Sequence, residues 1–110
     1  MEDNIIQELL PIHARKALKE CLEVGVVIPS RHFRDELSNE RLSIEDAYAV
    51  LRTGNIYDPP EPDPQTDEWK YRIEGHSPVG QWIVIVFCFK KVDRAILITI
   101  FSVSAKRRKS

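Results

Sequence analysis

Long hydrophobic runs are absent from this sequence, and no apolar stretch approaches the roughly 18 residues that a membrane-spanning helix needs. The opening letters, MEDNIIQELL, are acidic rather than basic, so we expect no signal peptide. With 43% apolar and 30% charged residues, the 110-residue chain is typical of one soluble domain covering 1–110. We therefore predict a cytoplasmic protein with no membrane segment.

Cysteine is scarce as well, with two residues in the chain. Cys21 lies in a helical pattern and Cys88 in the most apolar strand pattern, so we interpret both as small buried hydrophobic side chains. The histidines at 13, 32 and 76 are too scattered for a helical metal-binding pair, and phosphate-binding glycine loops are missing. We predict neither a bound metal nor a cofactor.

An excess of one charge is missing too: the formal net charge is −1, but the two signs are unevenly distributed. The segment 57–68, YDPPEPDPQTDE, carries five acidic residues and no basic one. Its four prolines interrupt a helix and leave too few backbone donors for a sheet, so we predict a solvated connector. The stretch 105–110, AKRRKS, is either a basic tail that binds phosphates or a disordered, solubilising end.

Helical patterns occupy the first half of the chain. Apolar residues recur at helical spacing over about residues 5–23, with Pro11 either kinking or restarting this helix. Ser30 is the predicted N-cap of a second helix, and SIED at 43–46 has the form of a capping box that begins a third. We expect Gly54 to end the third helix in a left-handed conformation.

Strand patterns occupy the second half. WKYRIEG at 69–75 alternates between apolar and polar residues, whereas QWIVIVFCF at 81–89 is apolar at nearly every position and indicates a central strand. AILITIFS at 95–102 follows after a short turn. We predict an α+β fold in which N-terminal helices pack on a C-terminal antiparallel meander of three to four strands. The second face of that sheet also needs cover, which a partner protein or a second copy would supply.

One set of residues could bind an anion and catalyse a reaction. Lys70 and Arg72 point to the same face of a strand, about 6.6 Å apart, and such a pair can bind an anion. His32 lies between two arginines at the start of the second helix, and it would add an acid/base group if it approached them. RNA cleavage without a metal needs this combination of cations and proton transfer. The alternative is that the strand has an ordinary solvated face and that His32 is a helix-boundary residue.

The order of motifs resembles a bacterial family. SRHFRDELSNERLSIEDAYAVLRTGNI, then EWKYRIEG, a Val/Ile-rich strand and ILITIFS are similar to domain of unknown function 4258 over residues 29–102. Two positions depart from the family pattern: Phe33 replaces a small residue, and Glu40 stands near a position that is often basic. The matching positions are His32, Leu37, Leu42, Ser43, Gly54, Tyr71, Arg72, Gly75 and Thr99.

The same order of helices and strands resembles toxins of the RelE/BrnT type in bacterial toxin–antitoxin pairs. That resemblance implies a RelE-like, metal-independent endoribonuclease with an antitoxin and RNA as partners. The near-neutral charge counts against a ribosome-dependent enzyme. A non-catalytic interaction module, or a homodimer, that uses the apolar sheet face is the competing interpretation. The residues assigned to the toxin hypothesis are His32, Lys70 and Arg72 as catalytic groups, with Arg34, Tyr71, Thr99, Lys106, Arg107 and Arg108 as substrate-binding groups.

Overall fold

The computed structural model describes residues 7–103 and has an α+β fold, as the sequence predicts. Three helices come first, apart from one short strand that lies between the first two. The helices are α1 (Pro11–Val24), α2 (Arg31–Asn39) and α3 (Ile44–Thr53), and the strands are β1 (Val26–Pro29), β2 (Glu61–Pro62), β3 (Trp69–His76), β4 (Trp82–Lys91) and β5 (Arg94–Val103).

The helix boundaries follow local sequence signals. α1 begins at Pro11 because proline suits the first helical turn, where its missing N–H would have no partner; residues 7–10 are not helical. The predicted start near residue 5 is therefore too early, and residues 5 and 6 lie outside the described part of the chain. Ser30 caps α2 by accepting a 3.0 Å hydrogen bond from the nitrogen of Phe33. Ser43 begins α3 with the predicted capping box.

Gly54 ends α3 for a different reason from the one expected. Its φ of −74° is not left-handed, so that prediction is wrong. A Cβ at this position would lie 2.6 Å from the carbonyl oxygen of Glu74 and 2.7 Å from that of Val50. Glycine is required because helix and sheet backbones approach closely here.

The described part of the chain forms a five-stranded mixed sheet in the order β1-β5-β4-β3-β2. The predicted meander of β3, β4 and β5 is antiparallel, but a parallel strand, β1, adds to the β5 edge. The predicted antiparallel meander of three to four strands is confirmed, because β2, β3, β4 and β5 pair in chain order. The parallel pairing of β1 with β5 was not predicted, because it joins distant parts of the sequence. Val26 begins that pairing by donating a 2.9 Å hydrogen bond to the carbonyl of Asp93.

The connector 57–68 also joins the sheet, contrary to the prediction that proline excludes it. Glu61 and Pro62 pair with Lys70 and Trp69 as the strand β2. A two-residue strand at a sheet edge needs few backbone donors, which makes proline acceptable there.

The hydrophobic core lies between the helices and one face of the sheet. α2 packs on β5, and α3 packs on β3 and β4. Large, fully buried side chains from both layers meet in this cluster, among them Phe33, Leu51, Ile73, Ile85 and Phe87. Within residues 7–103 no helix is long and apolar enough to cross a membrane.

The other face of the sheet is here called the open sheet face, because the helices pack on the opposite side. Val84 and Cys88 are each 2% exposed but lie outside the helix-facing cluster, so they belong to this second face. Glu68 of the connector contacts the Cys88 thiol. The open sheet face consists of Lys70, Arg72, Glu74 and His76 on β3, Trp82, Val84, Val86, Cys88 and Lys90 on β4, and Ile96, Thr99, Phe101 and Val103 on β5.

Candidate functional site

Arg72 occupies the middle of the open sheet face. Strand pairing places it opposite Val86, which in turn lies opposite Thr99, so Arg72 and Thr99 share one row across three strands. The guanidinium carbon of Arg72 lies 5.9 Å from the centroid of the Phe101 ring, at the distance of a cation–π contact. Arg72 is exposed and Phe101 is half-buried, so both can contact a ligand.

The two lysines of this face are paired with connector carboxylates. The ammonium nitrogen of Lys70 lies 3.5 Å from a carboxylate oxygen of Asp63. Lys90 forms an ion pair with Glu68, and this hydrogen bond raises the pKa of the Lys90 ammonium. The pKa of Asp63 is lowered by the backbone N–H of Gln65, which donates to it, and by the charge of Lys70. The connector thus neutralises both lysines.

Cys88 lies beneath this ion-paired cluster. Its thiol is 3.7 Å from Glu68 Oε1, and its side chain is almost fully buried. Burial, followed by the negative charge of Glu68, raises the pKa of the Cys88 thiol to about 11. The thiol is therefore neutral at physiological pH and is a poor nucleophile. Cys21 is buried too, as predicted, and neither cysteine forms a disulfide.

Glu74 is a buried polar residue at the other end of the open sheet face, and its burial was not predicted from the sequence. Alternation along β3 predicts Glu74 on a solvated face, but its side chain is 3% exposed. Its Oε1 accepts a 3.1 Å hydrogen bond from Nε1 of Trp82. The Trp82 ring also contacts His76 edge-on, with 4.8 Å between the ring centroids. Trp82, the first residue of the neighbouring strand, is the sequence feature that could have indicated a buried partner for Glu74.

α2 positions His32 and Arg34 at the β5 side of the molecule, where both are exposed. Ser30, just before the helix, donates a 3.2 Å hydrogen bond from Oγ to the carbonyl of Ile98 on β5. The backbone of Arg72 lies two strands from β5, about 10 Å at the usual strand spacing, and its side chain leaves the face of the sheet opposite to the one on which α2 packs. Within residues 7–103, no hydrogen bond, ion pair or ring contact joins His32 to Lys70 or Arg72. The structure brings Arg72 and Thr99 together without joining them to the imidazole.

Tyr71 faces away from Arg72, into the core. Its side chain is 1% exposed, and its hydroxyl accepts a 2.9 Å hydrogen bond from the backbone nitrogen of Leu9. Burial raises the pKa of this hydroxyl. Tyr71 therefore shares no surface with the other residues assigned to substrate binding on β3 and β5. The remaining assigned residues, Lys106, Arg107 and Arg108, lie outside the described part of the chain.

Concave surfaces lie along α1, away from Arg72. One, of about 470 Å³, is lined by His13, Lys16, Glu20 and Val92 among others. Another, of about 340 Å³, lies between α1 and α3 and is lined by Lys19, Leu22, Glu23, Tyr48 and Arg52. In residues 7–103, no three His, Cys, Asp or Glu side chains are grouped so that they could hold a metal ion.

The chain matches a known protein family over much of its length. The family described as Domain of unknown function (DUF4258) matches residues 30–102, which is more than half of the chain. Searches of curated proteins and of solved structures each found no significant match. The family resemblance seen in the motifs is thereby confirmed, whereas the likeness to RelE/BrnT toxins is not part of this match. By its sequence, this chain belongs to the DUF4258 family.

Proposed function

We propose that this domain is a toxin-type, metal-independent endoribonuclease of a toxin–antitoxin pair, and that RNA binds on its open sheet face. The observation that carries this proposal is the exposed Arg72 guanidinium, which lies over the Phe101 ring and in one row with Thr99. No helix of the described residues packs on this side of the sheet, so a single strand of RNA has access to the row.

Arg72, Thr99 and the neighbouring Phe101 each have a property that suits RNA binding. A guanidinium binds phosphate oxygens through two parallel N–H donors. The Thr99 hydroxyl adds a donor beside it, and the half-buried Phe101 ring offers a stacking surface for a base. The side chain of Val86 lies between Arg72 and Thr99 and keeps the centre of the row apolar. Together these groups would hold a phosphate and a neighbouring base.

His32 is the group proposed for proton transfer. It would accept the proton of a ribose 2′-hydroxyl while O2′ forms a bond to phosphorus. The bond from phosphorus to the 5′-oxygen would break, with that oxygen taking a proton from water and leaving a 2′,3′-cyclic phosphate. Arg72, on the open sheet face, would bind a phosphate of the same RNA strand. Because α2 packs on the core side of the sheet, the RNA would pass around the sheet edge beside α2 to bring a 2′-hydroxyl to the imidazole.

The test is RNA cleavage with and without ribosomes, combined with growth after induced expression. We expect Arg72→Ala to abolish growth arrest and to weaken RNA binding about tenfold or more, since a charge-assisted hydrogen bond is lost. His32→Ala should slow cleavage by about two orders of magnitude or more and change its pH profile. Arg52→Ala on α3 is the matched control, because it removes the same charge from an exposed residue of the helical layer. Equal activity of the wild type and Arg72→Ala would exclude the ribonuclease.

A protein-interaction module is the second candidate, and one observation favours it. Val26 and Ile28 on β1 are 42% and 40% exposed, and Ile28 pairs with the half-buried Ile96. Analytical ultracentrifugation would test whether this apolar strip joins two copies. Ile28→Ser should then dissociate the dimer, whereas Val79→Ser, at a 76% exposed turn residue, should leave it intact.

A further inference from the structure

We infer that Lys70 and Lys90 are additional phosphate-binding residues of the open sheet face, and that the connector carboxylates Asp63 and Glu68 occupy them as internal competitors of RNA. This inference rests on the proposed function and deepens it. The ligand contacted is the phosphodiester backbone, and carboxylates of the same chain limit that contact.

The three cations share one half of the open sheet face. Lys70 precedes Arg72 by two residues on β3, so their Cα atoms are about 6.6 Å apart and their side chains leave the same side of the strand. Lys90 follows Cys88 on β4 by the same interval. Glu68 contacts both Cys88 and Lys90, which places Lys90 beside the end of β3 where Lys70 lies. A single strand bound at Arg72 can therefore continue over the lysines.

The connector holds its carboxylates in fixed positions over these lysines. The nitrogen of Asp63 donates a 2.8 Å hydrogen bond to the carbonyl of Glu68, which closes a short loop. Inside that loop, the nitrogen of Gln65 donates a 2.9 Å hydrogen bond to Asp63 Oδ1 and orients the carboxylate. β2, immediately before the loop, is paired with β3. The two acidic groups are thus attached to the same strand as the lysines that they neutralise.

Exchange of carboxylate for phosphate requires little rearrangement. The side chains of Lys70 and Lys90 are 38% and 48% exposed, and ion pairs between exposed side chains are weak. A phosphate arriving from solvent can reach each ammonium without opening the core. Lysine acts as a point charge, so these contacts would add affinity that falls with salt but no preference for a base.

The experiment measures RNA binding as a function of salt. The double variant Asp63→Asn, Glu68→Gln keeps both side-chain shapes and removes both negative charges. Its affinity for a fluorescent oligouridylate would be measured over about 50 to 200 mM NaCl by anisotropy. We expect the log–log salt slope to become steeper by about 0.7 for each lysine released, or about 1.4 in all. Asp63→Asn alone should give half of that change and keeps the acceptor for Gln65.

Asp67→Asn is the matched control, because it removes the same charge from an exposed residue of the same loop. Its φ of 61° is a conformation that asparagine accepts. A slope for the double variant equal to that of Asp67→Asn would overturn the inference, even if Arg72→Ala weakened RNA binding. Conversely, a steeper slope in the double variant with no effect of Arg72→Ala would support the lysines and reject the proposed role of Arg72. Adding Lys70→Ala and Lys90→Ala to the double variant should restore the wild-type slope.

Discussion

The carboxylate of Glu40 accepts two hydrogen bonds from Ser102, one from the backbone nitrogen and one from Oγ, each 2.9 Å long. Glu40 is the C-cap residue of α2, and Ser102 lies near the end of β5. β1 pairs with β5 only as far as Leu97, so the edge of β5 beyond that point needs another acceptor. Glu40 supplies it.

Glu40→Ala should therefore destabilise the fold. Loss of a part-buried, charge-assisted pair of hydrogen bonds should lower the free energy of unfolding by about 2 kcal/mol. Chemical denaturation would measure this change. Glu36→Ala on the same helix is the control, because Glu36 makes one long contact of 3.4 Å with Asn39, and it should change stability by less than about 0.5 kcal/mol. Equal effects of the two substitutions would show that Glu40 does not support the sheet edge.

Gly54→Ala should lower the stability of the fold more than Gly80→Ala. The reason is a steric clash rather than backbone conformation. The added methyl at 54 would meet two carbonyl oxygens at 2.6 and 2.7 Å, so helix and strand must separate, at a cost of about 3 kcal/mol. Gly80 has a φ of +92° but nothing within 4 Å of an added Cβ, so alanine there costs about 1 kcal/mol. Thermal unfolding of both variants tests the ranking, and a more stable Gly54→Ala chain would contradict the close approach.

The buried thiol of Cys88 should react slowly in the folded chain. Its pKa of about 11 leaves it neutral at pH 8, and its side chain is almost inaccessible. In a Cys21→Ala background, iodoacetamide should label Cys88 at pH 8 far faster in urea than in buffer. Similar rates in both solutions would contradict the burial.

The same pKa gives a pH dependence of stability. Because the folded-state pKa of Cys88 lies above its unfolded value of 9.0, the neutral thiol contributes fully below pH 9.0. That contribution is lost as the pH rises through about 11. Cys88→Ala should show a smaller loss of stability over this range when denaturation is measured in the Cys21→Ala background. An identical pH profile would mean that the thiol does not titrate with a raised pKa.

Tyr71→Phe separates a structural role from a ligand-binding role. Removing the hydroxyl leaves the nitrogen of Leu9 without its acceptor and should lower stability by about 1 kcal/mol. RNA binding should not change, because the ring lies on the core side of β3. Weaker RNA binding together with unchanged stability would instead place Tyr71 at the ligand.

Local signals predicted the helices well, because each is decided by residues a few positions apart. Ser43 and Asp46 form the capping box that their spacing predicts. The partner of β1 was not predicted, since four apolar residues carry no information about which distant strand they join. The burial of Glu74 was missed for a related reason: period-two alternation assigns a face but does not reveal the Trp82 N–H that makes burial of a carboxylate acceptable.

The candidate site was predictable only in part. Alternation correctly separates Arg72 from the core side chain of Ile73. The same rule applied to β5 would put Thr99 on the face of Leu97, inside the core. The register shifts at Ile98, where the strand has an extra residue opposite β4, and this bulge turns Thr99 towards Arg72. A one-residue irregularity of this kind leaves no periodic trace in the sequence.

The parallel pairing of β1 with β5 has a consequence for the order in which the protein is made. Ser30 Oγ and the carbonyl that it contacts at Ile98 are separated by 68 positions. During synthesis β1 therefore stays unpaired until β5 has left the ribosome. Closing a loop of this length also slows folding. Until then the apolar strands β1 and β4 have incomplete neighbours, which exposes the nascent chain to aggregation and to capture by chaperones.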